Sequence, residues 1–421
     1  MARLALLGGE KVRKTPFPPH PIIGKEEKKA VLDVLESGKL STFVASPGEK
    51  FLGGVKIKQF EKEFAEYHGV KYAITFNSAT AALHAAVVAC GVKPGEEVIV
   101  PPYTFTSTAT CALMNNSIPV FVDIKSDIFC LDPAKIEQAI TPRTRAIIPV
   151  HLFGHPADMD EIVAIARKHN IKVIEDCAQA PGALYKGKHV GTIGDCGVFS
   201  FQETKNMMTG EGGMLITDEE EIAEIARMVR NHGEVVLTSQ TKRTYRSDML
   251  GWNYRMTEIE ATLGIAQLRK LDKLNSQRIT LADYLAEKLV SIDGLTTPVV
   301  YPYVKHVYYD FVLKYDESKI GVPRDTFVNA LEAEGIPFGG GYVRPLYLNP
   351  IYHKNKPFIY NYFGKDVKYD KGICPVTERL HEKEQCSTAV CRPPATKKDM
   401  DDVVQGIKKV LDNREELRQK I

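Results

Sequence analysis

From about residue 70 to residue 216, short apolar runs rich in Val and Ile alternate with stretches whose apolar positions recur every three or four residues. Strands buried on both faces lose the in-out alternation of a half-exposed strand, so this pattern predicts a mostly parallel sheet covered by helices. The runs at 72–75, 97–100, 120–123, 146–150, 173–175, 198–201 and 214–216 predict seven strands. Met159, Ile162, Ile165 and Ala166 lie at helical spacing and predict a crossover helix over 158–168. After the last run, Thr217 and Glu220 are spaced as a capping box ahead of the stripe Ile222, Ile225, Ala226 and Val229.

A longer helical pattern spans 257–285, and beyond it come shorter strands, many Pro and Tyr residues, and a charged helix over 397–411. The chain therefore reads as α/β with two domains: a large one over 1–270 and a smaller C-terminal α/β domain over 271–421, with the N-terminal segment able to pack on the small one. Its 421 residues and 44% hydrophobic composition exceed the usual single core and support that division. Residues 39–56, rich in Gly, Ser and Phe, read as a loop, either a connector or a substrate lid.

Charge changes the picture by exclusion. The 55 basic residues nearly balance 53 acidic ones without long runs of one sign, which argues against a nucleic-acid or membrane surface and for a small-molecule ligand. The apolar opening is too short for a signal peptide and no window reaches the length of a spanning helix, so a soluble, cytoplasmic protein is expected. The eight cysteines show neither a Cys-x-x-Cys pair nor metal spacing, so free thiols and no metal are expected. Cys177 reads as a packed side chain, with a reactive thiol as the alternative.

In open α/β sheets ligands gather beyond the carboxyl ends of strands. Asn77-Ser78-Ala79-Thr80 follows the first run and opens a helical pattern; its backbone N–H groups can hold an anion, or Ser78 can simply cap the helix. Val173 to Ala180 delivers Glu175 and Asp176 from a strand into a turn. A carboxylate there can keep a pyridinium nitrogen protonated, and its bland alternative is a helix cap. Ser200 to Gly213 carries Lys205 in a glycine-rich loop. Partial desolvation among Phe201, Met207 and Met208 would free its amine for an aldehyde cofactor. Pro101 to Phe105 offers an aromatic ring for stacking or for the core.

These segments carry a family resemblance. Glu175-Asp176-Cys177-Ala178-Gln179-Ala180, Gly191-Thr192-Ile193-Gly194-Asp195, and Ser200-Phe201 with Lys205 and Gly210-Glu211-Gly212-Gly213 resemble the DegT/StrS-type sugar aminotransferases, a branch of the fold type I pyridoxal-phosphate (PLP) enzymes. Tyr67-His68-Gly69, Pro101-Pro102-Tyr103-Thr104-Phe105, His151-Leu152-Phe153-Gly154, Asn231-His232-Gly233 and Asn253-Tyr254-Arg255-Met256 extend the likeness over nearly the whole chain. The resemblance implies pyridoxal 5'-phosphate held by Lys205, which also moves the proton, with Asp176 on the pyridine nitrogen and Gln179 near the ring hydroxyl. It implies Ser200 with the backbone of Ser78 and Ala79 on the phosphate, and Phe105 stacked on the ring. Asn253 matches a phosphate ligand from the neighbouring subunit, which implies a homodimer with shared sites. A glutamate or glutamine donor, a keto-sugar or keto-cyclitol acceptor and ping-pong kinetics follow from the same likeness.

The chain also departs from its relatives. Gln202 stands where nucleotide-sugar members carry His, as in members acting on keto-cyclitols, yet the lid after Gly38 lacks that group's aromatic and arginine-rich character. Both acceptor classes stay open. Residues 306–311 and 337–347, with Arg344, are candidates for the substrate side or for core packing. Lys205 argues against the dehydrating relatives that carry histidine there, and the Lys205, Asp176 and Gln179 set against a non-transaminating regulatory role. A dinucleotide-binding oxidoreductase lacks its Gly-x-Gly-x-x-Gly after the first strand.

Overall fold

The computed structural model describes residues 2–44, 49–235, 246–353 and 367–419. The seven runs form one sheet. In chain order its strands are β1 (Tyr72–Phe76), β2 (Glu97–Val100), β3 (Ile118–Phe121), β4 (Thr144–Ile147) and β5 (Lys172–Asp176), then, after a hairpin of β6 (Leu184–Tyr185) and β7 (Lys188–His189), β8 (Cys196–Ser200) and β9 (Gly213–Thr217). The spatial order is β1-β9-β8-β5-β4-β2-β3, parallel from β8 to β3, with β9 antiparallel to β8 and β1. Every residue of β2, β8 and β9 is buried, which is why these strands read as unbroken apolar runs. The third strand starts two residues earlier than its pattern, at Ile118. Pro119, which has no N–H to donate, is tolerated because β3 lies at the sheet edge.

Helices α1 (Lys25–Ser37), α2 (Val55–His68), α3 (Ala79–Ala89), α4 (Ser107–Met114), α5 (Met159–Lys168) and α6 (Glu220–Arg230) surround this sheet, followed by α7 (Glu258–Leu268) and α8 (Leu271–Leu289). The expected crossover helix is α5. The capping box expected at Thr217 does not form: Thr217 ends β9 and its hydroxyl donates to Asp195 O at 2.7 Å, leaving Glu219 as the N-cap of α6. Strand pairing of Thr217 with Tyr72 prevails over the local cap. A capping box does form at Thr257 and Glu260, where α7 starts, and the single helical pattern over 257–285 divides at Arg269–Lys270 into α7 and α8.

A second sheet, antiparallel in the order β10-β12-β14-β13, comprises β10 (Leu295–Thr296), β12 (Phe311–Tyr315), β13 (Gly339–Gly340) and β14 (Gln385–Thr388); β11 (Val304–Lys305) joins β6 instead. With α9 (Glu317–Ile320), α10 (Arg324–Ala333) and α11 (Lys397–Asp412), it encloses a separate apolar cluster that includes Leu281 and Leu285 of α8 and, from the N-terminus, Leu4. Buried Glu334 fastens that N-terminus by accepting from Ala5 N and Val12 N. Leu346, Tyr347, Tyr352 and Tyr369 return to the core of the first sheet beside Phe121.

The described ends of the 39–56 loop are tied to α7 through Glu258, whose N–H donates to Leu40 O and whose carboxylate accepts from Lys56 N. Phe51 is fully buried there, while residues 45–48, including Ser46, Pro47 and Gly48 of that loop, lie outside the described residues. Among the described residues no helix is long and apolar enough to cross a membrane.

Burial sets the acid response. Desolvation pushes His68 and His306 down to about 3 and His84 and His155 down to about 4. Their folded values lie below the unfolded one, so their contribution is complete above pH 6.5 and is lost as pH falls toward the folded values, about 2 kcal/mol per histidine by pH 5. Burial raises Asp310 to about 6, an opposite effect of smaller total size. The melting temperature should therefore fall steeply between pH 7 and pH 5, as thermal unfolding followed by circular dichroism will show.

Candidate active site

Where β5 and β8 end and α3 begins, the chain encloses a cavity of about 380 Å³. Ser78, Ala79, Phe105, Asp176, Gln179, Ser200 and Lys205 all line it. Asn253, the remaining expected site residue, does not.

Asp176 ends β5 and is buried, with its carboxylate in the cavity wall. Thr108 Oγ1 donates to one oxygen at 2.8 Å and Ala178 N to the other at 3.1 Å. Thr104 braces Thr108 through its own hydroxyl, 3.0 Å away. Burial holds the Asp176 carboxyl above its ordinary value, opposed by these hydrogen bonds and by the charge of Lys205. It caps no helix. Among the described residues it forms no ion pair, so a cationic N–H brought into the cavity would relieve the cost of its burial.

At the opposite side, Ser78 caps α3 through a hydrogen bond from Ala81 N to its hydroxyl at 3.1 Å. The first N–H groups of the helix face the cavity without helical acceptors, as at any helix start, and suit an anion. Gly213 lets β9 approach this corner: a Cβ there would lie 2.5 Å from the Ser78 carbonyl and 2.6 Å from Ala79 N. Ser200 lies across from them at the end of β8. Gln202, also in the lining, has its carbonyl engaged by Thr204 N and Thr204 Oγ1, at 2.9 and 2.6 Å.

Lys205 is half-buried, with Nζ 4.5 Å from the centroid of the Tyr309 ring. The expected enclosure by Phe201 and Met207 is corrected: both belong to the apolar cluster of Phe60 and Phe64 behind the sheet. Asn206 anchors the next position, donating to Val307 O at 2.9 Å and to Asn275 Oδ1 of α8 at 3.1 Å. The aromatic alternative at 101–105 divides in two. Tyr103 is buried and accepts from Tyr342 N at 2.7 Å, whereas Phe105, 58% exposed, overhangs the cavity. Gln179 is held in place between Phe153 N, which donates to its Oε1, and Tyr342, whose hydroxyl accepts from its Nε2.

Thr108 and Tyr342 complete the site by contacts from helix α4 and from a segment far along the chain. Tyr309 and Tyr342 come from the two stretches left open between substrate side and core, while Tyr308 and Tyr347 take the core places. Asn253 is held outside the cavity, its carbonyl 3.5 Å from Asn77 Nδ2 and its neighbour Tyr254 accepting from Asn77 N through its own carbonyl.

Behind Asp176, His151, Glu175 and Cys177 bring potential metal ligands within 4.8 Å of one another. Both Glu175 oxygens are already committed: one accepts from Gly191 N and His151 Nε2, the other from Ile193 N and Gly194 N. Ala157 N donates to His151 Nδ1, which places the ring proton on Nε2. The group is a hydrogen-bonded lock. Burial pushes the Cys177 thiol far up, so Cys177 packs as an unreactive side chain.

The comparisons agree with this geometry. Residues 21–408 match the model of the DegT/DnrJ/EryC1/StrS aminotransferase family. The chain belongs to that family. It is a PLP-dependent aminotransferase of fold type I. GDP-perosamine synthase of Caulobacter vibrioides is 39% identical over 79% of this chain and 85% of its own. A putative L-glutamine:3-amino-2,3-dideoxy-scyllo-inosose aminotransferase of Streptoalloteichus tenebrarius is 36% identical over 99% of this chain and 100% of its own. The crystal structure of an aminotransferase from Psychrobacter cryohalolentis superposes with a TM-score of 0.85 at 32% identity, covering 94% of this chain and 99% of that one.

The cavity of this aminotransferase suits the cofactor: an unpaired buried carboxylate for the ring nitrogen, a glycine-cleared helix start for the phosphate, and a lysine on the wall. Removing the lock behind it should be costly. Glu175→Ala strands three backbone N–H groups and the His151 proton in the core, and urea unfolding should show a loss of at least about 3 kcal/mol.

Proposed function

We propose that this aminotransferase takes the amino group of glutamate or glutamine and delivers it to a nucleotide-linked keto sugar or to a related keto-cyclitol. The observation that carries the reading is the presence of Lys205 and Asp176 in the walls of one cavity, with a helix start suited to phosphate between them. The activities named by the GDP-perosamine synthase and the inosose aminotransferase support the acceptor class.

Bound PLP supplies the electron sink; everything else is done by the chain. Nζ of Lys205 would take the α-proton of the donor as general base and deliver it to the cofactor carbon that keeps the nitrogen, so that the donor leaves as its keto acid. Asp176 keeps the ring nitrogen protonated, its carboxylate aimed by Thr108. Ala79, with Ser78 and Ser200, holds the phosphate, Phe105 covers the ring, and Gln179 stands near the ring hydroxyl. Asn253, displaced from its own chain's cavity yet fastened beside Asn77, is assigned to the phosphate of a second subunit, so the working form is a homodimer with shared sites.

Absorption spectra test this directly. Wild type with PLP should show a visible band that bleaches when glutamate or glutamine is added, and Lys205→Ala should lack it. Asp176→Asn should keep the band but slow the bleaching about 10²-fold, because the ring nitrogen loses roughly 1 to 3 pKa units of support. A band that no amino donor bleaches would sink the transamination reading.

A further inference from the structure

We propose that Tyr342 binds the amino donor, its hydroxyl donating a hydrogen bond to the α-carboxylate that glutamate and glutamine share. The inference rests on the donor and on the role of Lys205 given above. A carboxylate entering the cavity needs hydrogen-bond donors, and among the described residues of the wall the one cation is Lys205. That amine is the group that reacts, so it is not free to hold the carboxylate as well. Asp176 and Glu211, in the same wall, repel it. On this chain's side the carboxylate therefore depends on neutral groups near Lys205 with a proton to spare.

Counting protons separates the two phenols of that wall. Thr204 Oγ1 donates to Gln202 Oε1 at 2.6 Å, and its single proton is spent there. The 3.1 Å contact between Thr204 Oγ1 and the Tyr309 hydroxyl is then donated by Tyr309, whose proton is spent in turn. Tyr342 is the reverse case. Phe153 N, which can only donate, lies 2.7 Å from the Gln179 carbonyl oxygen and fixes which end of that amide is which. Gln179 Nε2 therefore donates to the Tyr342 hydroxyl at 2.8 Å, occupying one of its lone pairs. Among the described residues that hydroxyl makes no other hydrogen bond, so its own proton is available to a ligand.

The hydroxyl is also held in place. Tyr342 N donates to the Tyr103 hydroxyl at 2.7 Å, and the Tyr342 ring meets the Phe153 ring edge-on, with centroids 5.1 Å apart. Phe153, in the left-handed region at a φ of +57°, gives its N–H to Gln179 and its carbonyl to Tyr309 N. One residue thus sets the places of Gln179, Tyr342 and Tyr309, and the Tyr309 ring lies 4.5 Å from Lys205 Nζ. The free O–H is presented one hydrogen bond beyond Gln179, in the wall that carries the reacting amine. Burial pushes the phenol up, so the proton stays in place across the neutral range. A neutral donor suits an enzyme that must take two substrates in one cavity, because it can bond the carboxylate of an amino acid and, afterwards, a hydroxyl beside the carbonyl of the acceptor.

The test is a titration of the full-length enzyme loaded with PLP, using L-glutamate or L-glutamine, whichever bleaches the wild-type band. Tyr342→Phe should raise the half-saturating donor concentration about tenfold, the loss of a hydrogen bond to a charged group, and leave the limiting bleaching rate within about threefold. The position of the visible band and the affinity for PLP should stay those of the wild type. Mono- and difluorotyrosine at 342 make the hydroxyl a stronger donor and a weaker acceptor. Half-saturation should therefore fall stepwise across that series, whereas a purely structural role as acceptor from Gln179 predicts that it rises or stays level. If Tyr342→Phe fails to fold by circular dichroism, the fluorinated series still decides. A half-saturating concentration that Tyr342→Phe leaves unchanged, or changes only together with the band position and PLP affinity, overturns the proposal. The functional reading fails separately, when the wild type shows no Lys205-dependent band or no amino donor bleaches it.

Discussion

The buried carboxylate of Glu175 is the interaction on which the site depends. Four donors converge on it: three backbone N–H groups from 191–194 and the imidazole of His151. A fully buried anion persists only when its lone pairs are satisfied in this way. The 191–194 turn leads directly into β8, and His151 follows β4, so one side chain fixes the ends of three neighbouring strands relative to each other. Asp176 at the end of β5, and Ser200 with the Lys205 loop at the end of β8, take their separation from that lock.

Strand periodicity then divides the labour between adjacent residues. Successive side chains of a strand point to opposite faces, so Glu175 looks into the core while Asp176 looks into the cavity. The same alternation sends Phe199 into the cluster with Phe60 and Phe64 and brings Ser200 to the cavity wall. A one-residue slip of β5 or β8 would exchange structural and chemical side chains at once. Pairing of Asp176 with Val198 and of Ser200 with Gly213 sets the register against that error.

This division also explains what the sequence disclosed. The seven strands were legible because burial on both faces leaves an apolar signature confined to each strand, and Asp176, Ser200 and Lys205 were legible because they sit at or just beyond the ends of such strands. Misread features depended on competition or distance. Thr217 and Glu220 satisfy a local capping rule, but the ladder with β1 takes Thr217. Phe201 and Met207 stand beside Lys205 in sequence and face away from it in space, whereas Tyr309, more than a hundred residues later, supplies the ring. Thr108 gave no signal of its own, since a hydroxyl in the first turn of a helix is common and only the fold brings it to Asp176.

The cavity is consequently a product of both sheets. Its floor and the corner at Ser78 and Ala79 belong to the first sheet and α3, while Tyr309 and Tyr342 reach it from segments bordering β12 and β13. Each of these tyrosines is bonded to a residue of the first sheet's loops: Tyr342 to Gln179 and to Tyr103, Tyr309 to Thr204 and to Phe153. Asn206 adds a buried link from the lysine loop to α8, the helix whose Leu281 and Leu285 belong to the second core. A displacement of the second sheet relative to the first therefore cannot leave Lys205 unaffected: it must either break these hydrogen bonds or carry the lysine loop with it. The chain couples the geometry of its second core to that of the Lys205 loop.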